Sequence, residues 1–283
     1  MPPLAWITGA GGLIGSHLLQ CAPAYAPRWR VIGLTRAQLD LSDFKAVRRR
    51  FEQERPALIL HCAALSRSVA CEADPALARR LNVDLTAHLA ELAGEIPFVF
   101  FSTDLVFDGR QGHYRESDAT APLGVYAATK TEAERIVLKH PGHTVIRTSL
   151  NGGTSPTGDR AFNEEMRRAW QQGRTLRLFT DEFRCPIPAR ITARAVWELA
   201  DLNRPGLYHL AGCERLSRWQ IGQLIAQRWP TLRPQIEPGS LRDYQGAPRA
   251  PDTSLDCTRL QSLLSFPLPG LTEYLETHPD EPF

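Results

Sequence analysis

Tyr126 and Lys130 stand four residues apart in a stretch with helical patterning, which places both side chains on one helix face. A phenol with its reference pKa of about 10 is too weak an acid to respond near neutrality, and a neighbouring ammonium favours the phenolate and lowers that value. Upstream, the apolar run Phe98-Val99-Phe100-Phe101 reads as a strand that delivers Ser102, Thr103 and Asp104 at its carboxyl end, where open α/β sheets place ligands. A hydroxyl at Thr103 can hydrogen-bond the same oxygen that Tyr126 serves. Together these groups can protonate a carbonyl oxygen while hydride reaches its carbon. A Tyr-x-x-x-Lys pair alone is common on helix surfaces; its position after a hydroxyl-bearing strand end, and after the glycine loop described next, gives it weight.

Thr8-Gly9-Ala10-Gly11-Gly12-Leu13-Ile14-Gly15 follows an apolar strand and opens a helix. The spacing Gly9, Gly12, Gly15 fits GxxGxxG and not GxGxxG, whose last glycine would fall on Ile14. Small residues there let the backbone turn tightly against a pyrophosphate, and the amides of the helix start around Leu13 and Ile14 face it. The second strand ends Gly33-Leu34-Thr35-Arg36, with no acidic residue to hold the ribose hydroxyls of NAD. Arg36 suits a 2′-phosphate instead, which leans the cofactor expectation to NADPH, with NADH still admitted.

These groups need a scaffold, and the first half of the chain supplies alternating strands and helices. Strands are expected at Leu4–Thr8, Arg30–Leu34, Ala57–Ala63, Phe98–Ser102 and Thr144–Thr148, and helices at Leu13–Cys21, Phe44–Glu54, Leu77–Ala93 and Val125–Lys139. That alternation implies an α/β fold, a Rossmann-type doubly wound parallel sheet. Residues 1–150 read as the NAD(P)-binding domain. Residues 151–283 read as a smaller C-terminal substrate-binding lobe, some of whose segments return to the main sheet. In it, 151–158 reads as a loop, with helices near 161–172, 190–202 and 217–229 and strands near 175–179 and 206–210. Ser217 is placed to cap the last helix.

Bulk properties exclude several functions. Lys and Arg number 33 against 31 Asp and Glu, a net charge of +2 that gives no footprint for nucleic acid or an anionic membrane. No apolar run approaches the roughly 20 residues of a membrane helix. The opening apolar stretch reads as a strand and not a signal peptide. Six scattered cysteines without a CxxC pair argue for reduced thiols in the cytoplasm, with no metal site. His61 beside Cys62 reads as a hydrogen-bonded core histidine, Arg48-Arg49-Arg50 as a solvated face, and Trp170, Trp197, Trp219 and Trp229 as core. Arg184 suits a substrate phosphate and a structural salt bridge about equally.

Ser102-Thr103-Asp104-Leu105-Val106-Phe107-Asp108-Gly109 resembles STDYVFDG of the dTDP-4-dehydrorhamnose reductase family, within the extended short-chain dehydrogenases/reductases. Arg55-Pro56, Ala63-Ala64, Asn82-Val83, Tyr126-Ala127-Ala128-Thr129-Lys130, Arg147-Thr148-Ser149, Tyr208-His209-Leu210-Ala211-Gly212, and Arg249-Ala250-Pro251 through Leu255-Asp256 extend the resemblance over nearly the whole chain. It implies Thr103, Tyr126 and Lys130 as a catalytic triad, Asp40-Leu41 beside the adenine, and Ala63, Ala64, Ser66 and Ser102 along the cofactor. Asn82 matches a position that supports the active-site lysine through water.

The departures fall on the substrate side. Leu105 replaces a tyrosine, Leu150-Asn151-Gly152 replaces Trp-Val-Tyr, and Leu65 to Ala70 lacks the usual Val-Asp-Lys. Asp104, Leu105, Leu150 and Arg184 are therefore the candidate substrate contacts. The resemblance implies an NADPH-dependent reductase of a 4-keto nucleotide-sugar, with a homodimer admitted. A cofactor-binding regulatory subunit, like the methionine adenosyltransferase β subunit that resembles the same family, is the alternative from another class. An epimerase or dehydratase of nucleotide-sugars is a third.

Overall fold

The apolar runs of the chain form six parallel strands in a computed structural model that describes residues 2–281 and 283. They are β1 (Leu4–Thr8), β2 (Arg30–Leu34), β3 (Leu58–His61), β4 (Phe98–Thr103), β5 (Thr144–Thr148) and β6 (Gly206–Leu210), in the order β2-β1-β3-β4-β5-β6. Successive side chains point to opposite faces. Ala5, Ile7, Leu58, Leu60, Val99 and Phe101 join one core, while Leu4, Trp6, Ile59, Phe98 and Phe100 join the other. With both faces apolar, the sheet needs helices on both. Helices α1 (Leu13–Tyr25) and α5 (Ala189–Leu202) cover the first face through Leu18, Ala193, Val196 and Trp197. The second is covered by α2 (Phe44–Glu54), α3 (Leu85–Ala93) and α4 (Val125–Val137), through Val47, Leu85, Leu89, Ala133 and Val137. The doubly wound parallel sheet expected from the sequence is thus present. The strand order reverses at β1, which opens a crevice between the carboxyl ends of β1 and β3.

One expected helix is broken. In place of a continuous Leu77–Ala93 helix there is a short helix Pro75–Arg79, a π-turn Arg80–Asp84, and then α3. The side chain of Asn82 holds that wider turn: it accepts from the Leu65 amide at 2.8 Å and donates to the Leu65 carbonyl at 3.1 Å and to Thr129 at 3.0 Å. Periodicity carries no trace of such long-range partners. A further short helix, Ser68–Ala73, was not expected either.

After β5 the chain leaves the sheet, returns through α5 and β6, and leaves again. The excursions build a third apolar cluster around Phe162, Met166, Trp170, Leu178, Ile221, Ile225 and Leu271. Its helix Arg218–Arg228 starts on Ser217, which accepts from the Gln220 amide at 3.1 Å while Gln220 accepts from the Ser217 amide at 2.8 Å, a reciprocal capping box. Among the described residues no helix is long and apolar enough to cross a membrane.

Trp197 joins α5 to α1: it is fully buried, and its indole donates to the Leu18 carbonyl at 2.9 Å. Trp197→Ala should cost about 3–5 kcal/mol. Denaturant unfolding at equilibrium measures this, and a loss under about 1 kcal/mol would show that the seam contributes little to stability.

Candidate active site

The glycine loop joins β1 to α1 at the mouth of the crevice. Gly9 takes φ +70°, and a Cβ on it would lie 2.7 Å from the Ala63 amide nitrogen, so the loops after β1 and β3 meet backbone to backbone. A Cβ on Gly15 would lie 2.4 Å from the Gly9 carbonyl oxygen. Gly12 is the N-cap of α1 and offers no side chain to the first-turn amides. Leu13 is buried and Ile14 half-buried behind them. Bare backbone, a helix N-terminus and a sheet crevice suit a pyrophosphate. Ser102 at the end of β4 adds a buried hydroxyl with no hydrogen-bond partner among the described residues. These residues therefore fit a dinucleotide.

The adenine-side candidates lie at the rim. Arg36 is exposed, and its charge acts with that of Arg80 on Asp40. The Asp40 carboxylate accepts from the Ser42 amide at 2.9 Å and the Ser42 hydroxyl at 2.7 Å, which hold it below the usual carboxylate range. Arg80 went unnoticed in the sequence because the fold alone brings it over, where it donates to the Ser42 carbonyl at 3.1 Å. Leu41 and Ala63 are half-buried, and Ala64 and Ser66 are exposed. Asn82 ties this loop to α4 through Leu65 and Thr129, so both protons of its amide are committed there.

Helix α4, which carries Tyr126 and Lys130, packs against β4, whose end carries Thr103. Thr103 donates to Asp104 Oδ1 at 3.2 Å and accepts from the Leu105 amide at 3.2 Å. Lys130 is buried, with Nζ 3.9 Å from the centroid of the Phe100 ring. Burial lowers its pKa to about 7, opposed by Glu134 one helical turn on. Glu134 is itself buried against Arg147 at 2.7 Å, which neutralises most of its pull. Burial pushes the Tyr126 phenol above its ordinary value, and the Asp104 carboxylate pushes it further. The expected electrostatics are thus weakened: the lysine is only about half charged at neutral pH, while the phenol is held in its protonated form. The cause is desolvation, which penalises the charged form of both groups.

Two candidate substrate contacts are employed differently from the expectation. Arg184 is buried: it pairs with Glu182 at 3.0 Å, donates to the Phe183 and Ala250 carbonyls at 2.6 and 3.1 Å, and approaches Asp104 at 3.8 Å. Of the two readings the sequence left open, the geometry is that of the salt bridge. Asp104 is buried too, its Oδ2 accepting from Ser149 at 2.7 Å and Thr253 at 2.9 Å. Ser149 and Thr253 went unassigned in the sequence, although both lie in stretches that resemble the family. Leu105 is half-buried beside Thr103, and Leu150 packs against the lobe core. His61 is a core histidine, bonded to Thr8 at 2.7 Å and Thr86 at 3.1 Å.

A glycine cradle at a sheet switch point, followed by a strand-end hydroxyl and a Tyr-x-x-x-Lys helix, defines an extended short-chain dehydrogenase/reductase. A model of the family described as RmlD substrate binding domain matches residues 5–281, and the chain belongs to that family. Methionine adenosyltransferase 2 subunit beta of Bos taurus is 30% identical over 273 residues, spanning 91% of this chain and 81% of that protein. The probable low-salt glycan biosynthesis reductase Agl14 of Haloferax volcanii is 28% identical over 286 residues, spanning 96% and 95%. Among solved structures, dTDP-4-dehydrorhamnose reductase from Bacillus anthracis in complex with NADP superposes with a TM-score of 0.89 at 23% identity, covering 98% of each chain.

The lysine gives a test of the site without any ligand. Its pKa falls from 10.5 unfolded to about 7 folded, so between those values the unfolded chain binds more protons, and stability rises with pH. Lys130→Met should remove that rise: relative to wild type it should be most stabilised below pH 7 and lose the advantage by pH 10.5. Unfolding free energies across this range decide it, and parallel curves for the two proteins would show that Lys130 is not desolvated.

Proposed function

We propose that this protein is an NADPH-dependent reductase of a 4-keto nucleotide-sugar, with NADH as a second, weaker donor. The observation that carries the reading is the packing of the Tyr126–Lys130 helix on β4, whose end carries Thr103, beside a glycine loop suited to a dinucleotide. The solved relative bound to NADP and the glycan-biosynthesis relative named a reductase support it. Gly9, Gly12, Leu13, Ile14 and Gly15 hold the pyrophosphate, Arg36 the 2′-phosphate, and Asp40 and Leu41 the adenosine. Ala63, Ala64, Ser66, Asn82 and Ser102 line the path to the nicotinamide. Bound there, the reduced cofactor supplies hydride to the carbonyl carbon.

Tyr126 supplies the proton. Its raised pKa keeps the phenol protonated at neutral pH, the form that a reduction consumes. Lys130, poised near neutrality, takes a charge when an anionic or hydroxyl partner enters and so steadies the phenolate left behind. Residues 1–150 carry the cofactor. The lobe within 151–283 closes over the substrate, with Leu105 and Leu150 presenting apolar walls where related reductases have aromatic ones. The described cysteines are all free, in keeping with the cytoplasm.

A second reading is supported by a specific likeness, the 30% identity with methionine adenosyltransferase 2 subunit beta. Here the chain binds NADPH and serves a partner enzyme. A panel of keto-sugar nucleotides, followed by NADPH oxidation, separates the two: turnover with any member supports the reductase. No turnover, tight NADPH binding and a stoichiometric complex with a methionine adenosyltransferase would establish the regulator.

Under the first reading, Tyr126→Phe should lower kcat at least a hundredfold, within the range ascribed to positioned acids, while leaving the NADPH Kd within about twofold. Fluorescence titration and steady-state rates measure both, and substantial residual turnover would remove Tyr126 as the acid. Arg36→Ala should weaken NADPH roughly ten- to a hundredfold and leave NADH unchanged, as expected for a charge-assisted contact worth about 1.5–3 kcal/mol. Equal losses for the two cofactors would remove Arg36 from the 2′-phosphate.

A further inference from the structure

The lobe carries a cavity of about 490 Å³ between the helix Phe162–Gln171, the end of the helix Arg218–Arg228 and the chain near Glu281. None of the cofactor or substrate candidates lines it. Spacing on the first helix explains one wall: Asn163, Arg167 and Gln171 recur every four residues and share a face, with Glu164 and Arg168 beside them. Arg167, Arg168 and Arg228 all line the cavity, and among the described residues none of the three is ion-paired. Arg167 makes no hydrogen bond either, and its guanidinium lies 5.7 Å from the centroid of the Trp229 ring. Arg168 makes one bond, to the Gly158 carbonyl at 3.0 Å. Arg228 donates to the carbonyls of Leu275, His278 and Glu281 at 3.3, 2.7 and 2.5 Å, which fix its position without cancelling its charge. A guanidinium has five N–H donors, so most of those on Arg167 and Arg168 are unused.

The acids of the same region are already engaged. Glu164 accepts from the amides of Ser155, Arg160 and Ala161 at 2.7, 2.9 and 3.0 Å, and from the Ser155 hydroxyl at 2.7 Å. Glu281 is paired with Arg190 and takes the Tyr274 hydroxyl. Asp159, beside the Arg168 end of the cavity, is bound to Arg67 and Arg160, each at 3.2 Å. Of the two lining acids, only Glu164 lacks a cation of its own. Three guanidiniums therefore face one uncompensated carboxylate, and the cavity is positive.

We propose that this cavity binds a nucleoside phosphate, with the phosphate on Arg167 and Arg168 and the base against Trp229. Guanidinium forks match phosphate oxygens, and an aromatic face accepts any base by stacking. Trp170 stands edge-on to Trp229 with ring centroids 6.3 Å apart, which helps to fix the plane of that face. The volume falls within the roughly 300–1,000 Å³ of small-ligand sites and exceeds what a free phosphate needs. The site shares no residue with the dinucleotide cradle, and it does not rest on the reductase reading.

Titration calorimetry on the NADP-saturated protein keeps the cradle filled while AMP, UMP and inorganic phosphate are added in turn. Both nucleotides should bind, and inorganic phosphate should bind about tenfold or more weakly, because it leaves the aromatic wall empty. Arg167→Glu combined with Arg168→Glu should weaken both nucleotides about tenfold or more. The same change should leave the Kd for NADP within about twofold, as expected for separate sites. Circular dichroism melts confirm that the variants are folded. Arg167→Glu, which removes no hydrogen bond, serves by itself if the double variant is not. Nucleotide binding that survives in the variants lies elsewhere, the substrate pocket included, and would overturn the assignment. So would a failure of both nucleotides to bind up to millimolar concentration. Inorganic phosphate binding as tightly as AMP would overturn the placing of a base on Trp229, and with it the ligand class.

Discussion

The backbone of residue 9 meets the backbone of residue 63, and the whole site depends on that approach. With a Cβ only 2.7 Å from the Ala63 nitrogen, any residue but glycine would force β1 and β3 apart at their carboxyl ends. Those two strands bound the crevice, and the loop after β3 is the one that Asn82 clamps to Thr129 of α4. A shift at Gly9 would therefore travel through residues 63–65 to the helix that carries Tyr126 and Lys130. One missing side chain sets the distance between cofactor cradle and acid.

Buried charge does the complementary task of holding the lobe to the sheet. Glu182 binds Arg184 at 3.0 Å and Arg249 at 2.7 Å, and Arg184 in turn approaches Asp104 at the end of β4. Desolvating such groups is costly, and a partly broken network is worse than none, because each orphaned charge loses its solvation without a replacement. The network thus admits few alternative placements of the lobe. Arg147 and Glu134 do the same between β5 and α4, which anchors the helix carrying Tyr126 and Lys130 at its far end.

Between these two constraints, Tyr126 and Lys130 sit where burial shifts both ionisations away from their ordinary values. Lys130 rests on the Phe100 ring and has a pKa near neutrality, while Tyr126 is held as a phenol. Such a pair responds sharply to whatever enters, since a single added charge or hydrogen bond in low dielectric moves both equilibria. That responsiveness suits an acid that must release a proton at one moment and recover it later. It equally gives a cofactor-binding subunit a means of reporting occupancy, the property shared by the two functional readings.

The strands, most of the covering helices, the glycine loop and the placing of Tyr126 and Lys130 on one helix were legible in the sequence, because each rests on local periodicity or on residue types at short spacing. Ser217 as a cap and His61 as a core residue were legible for the same reason. What the sequence could not show were relations between distant segments. The π-turn at Asn82 exists because Leu65 and Thr129 lie on either side of it. Arg184 turns inward because Glu182 and Asp104 are buried beside it. The charge states of Tyr126 and Lys130 follow from how much water the fold removes, a quantity no spacing rule contains. Sequence determined which groups are present and on which element each stands; only the tertiary structure decided their solvation and their partners.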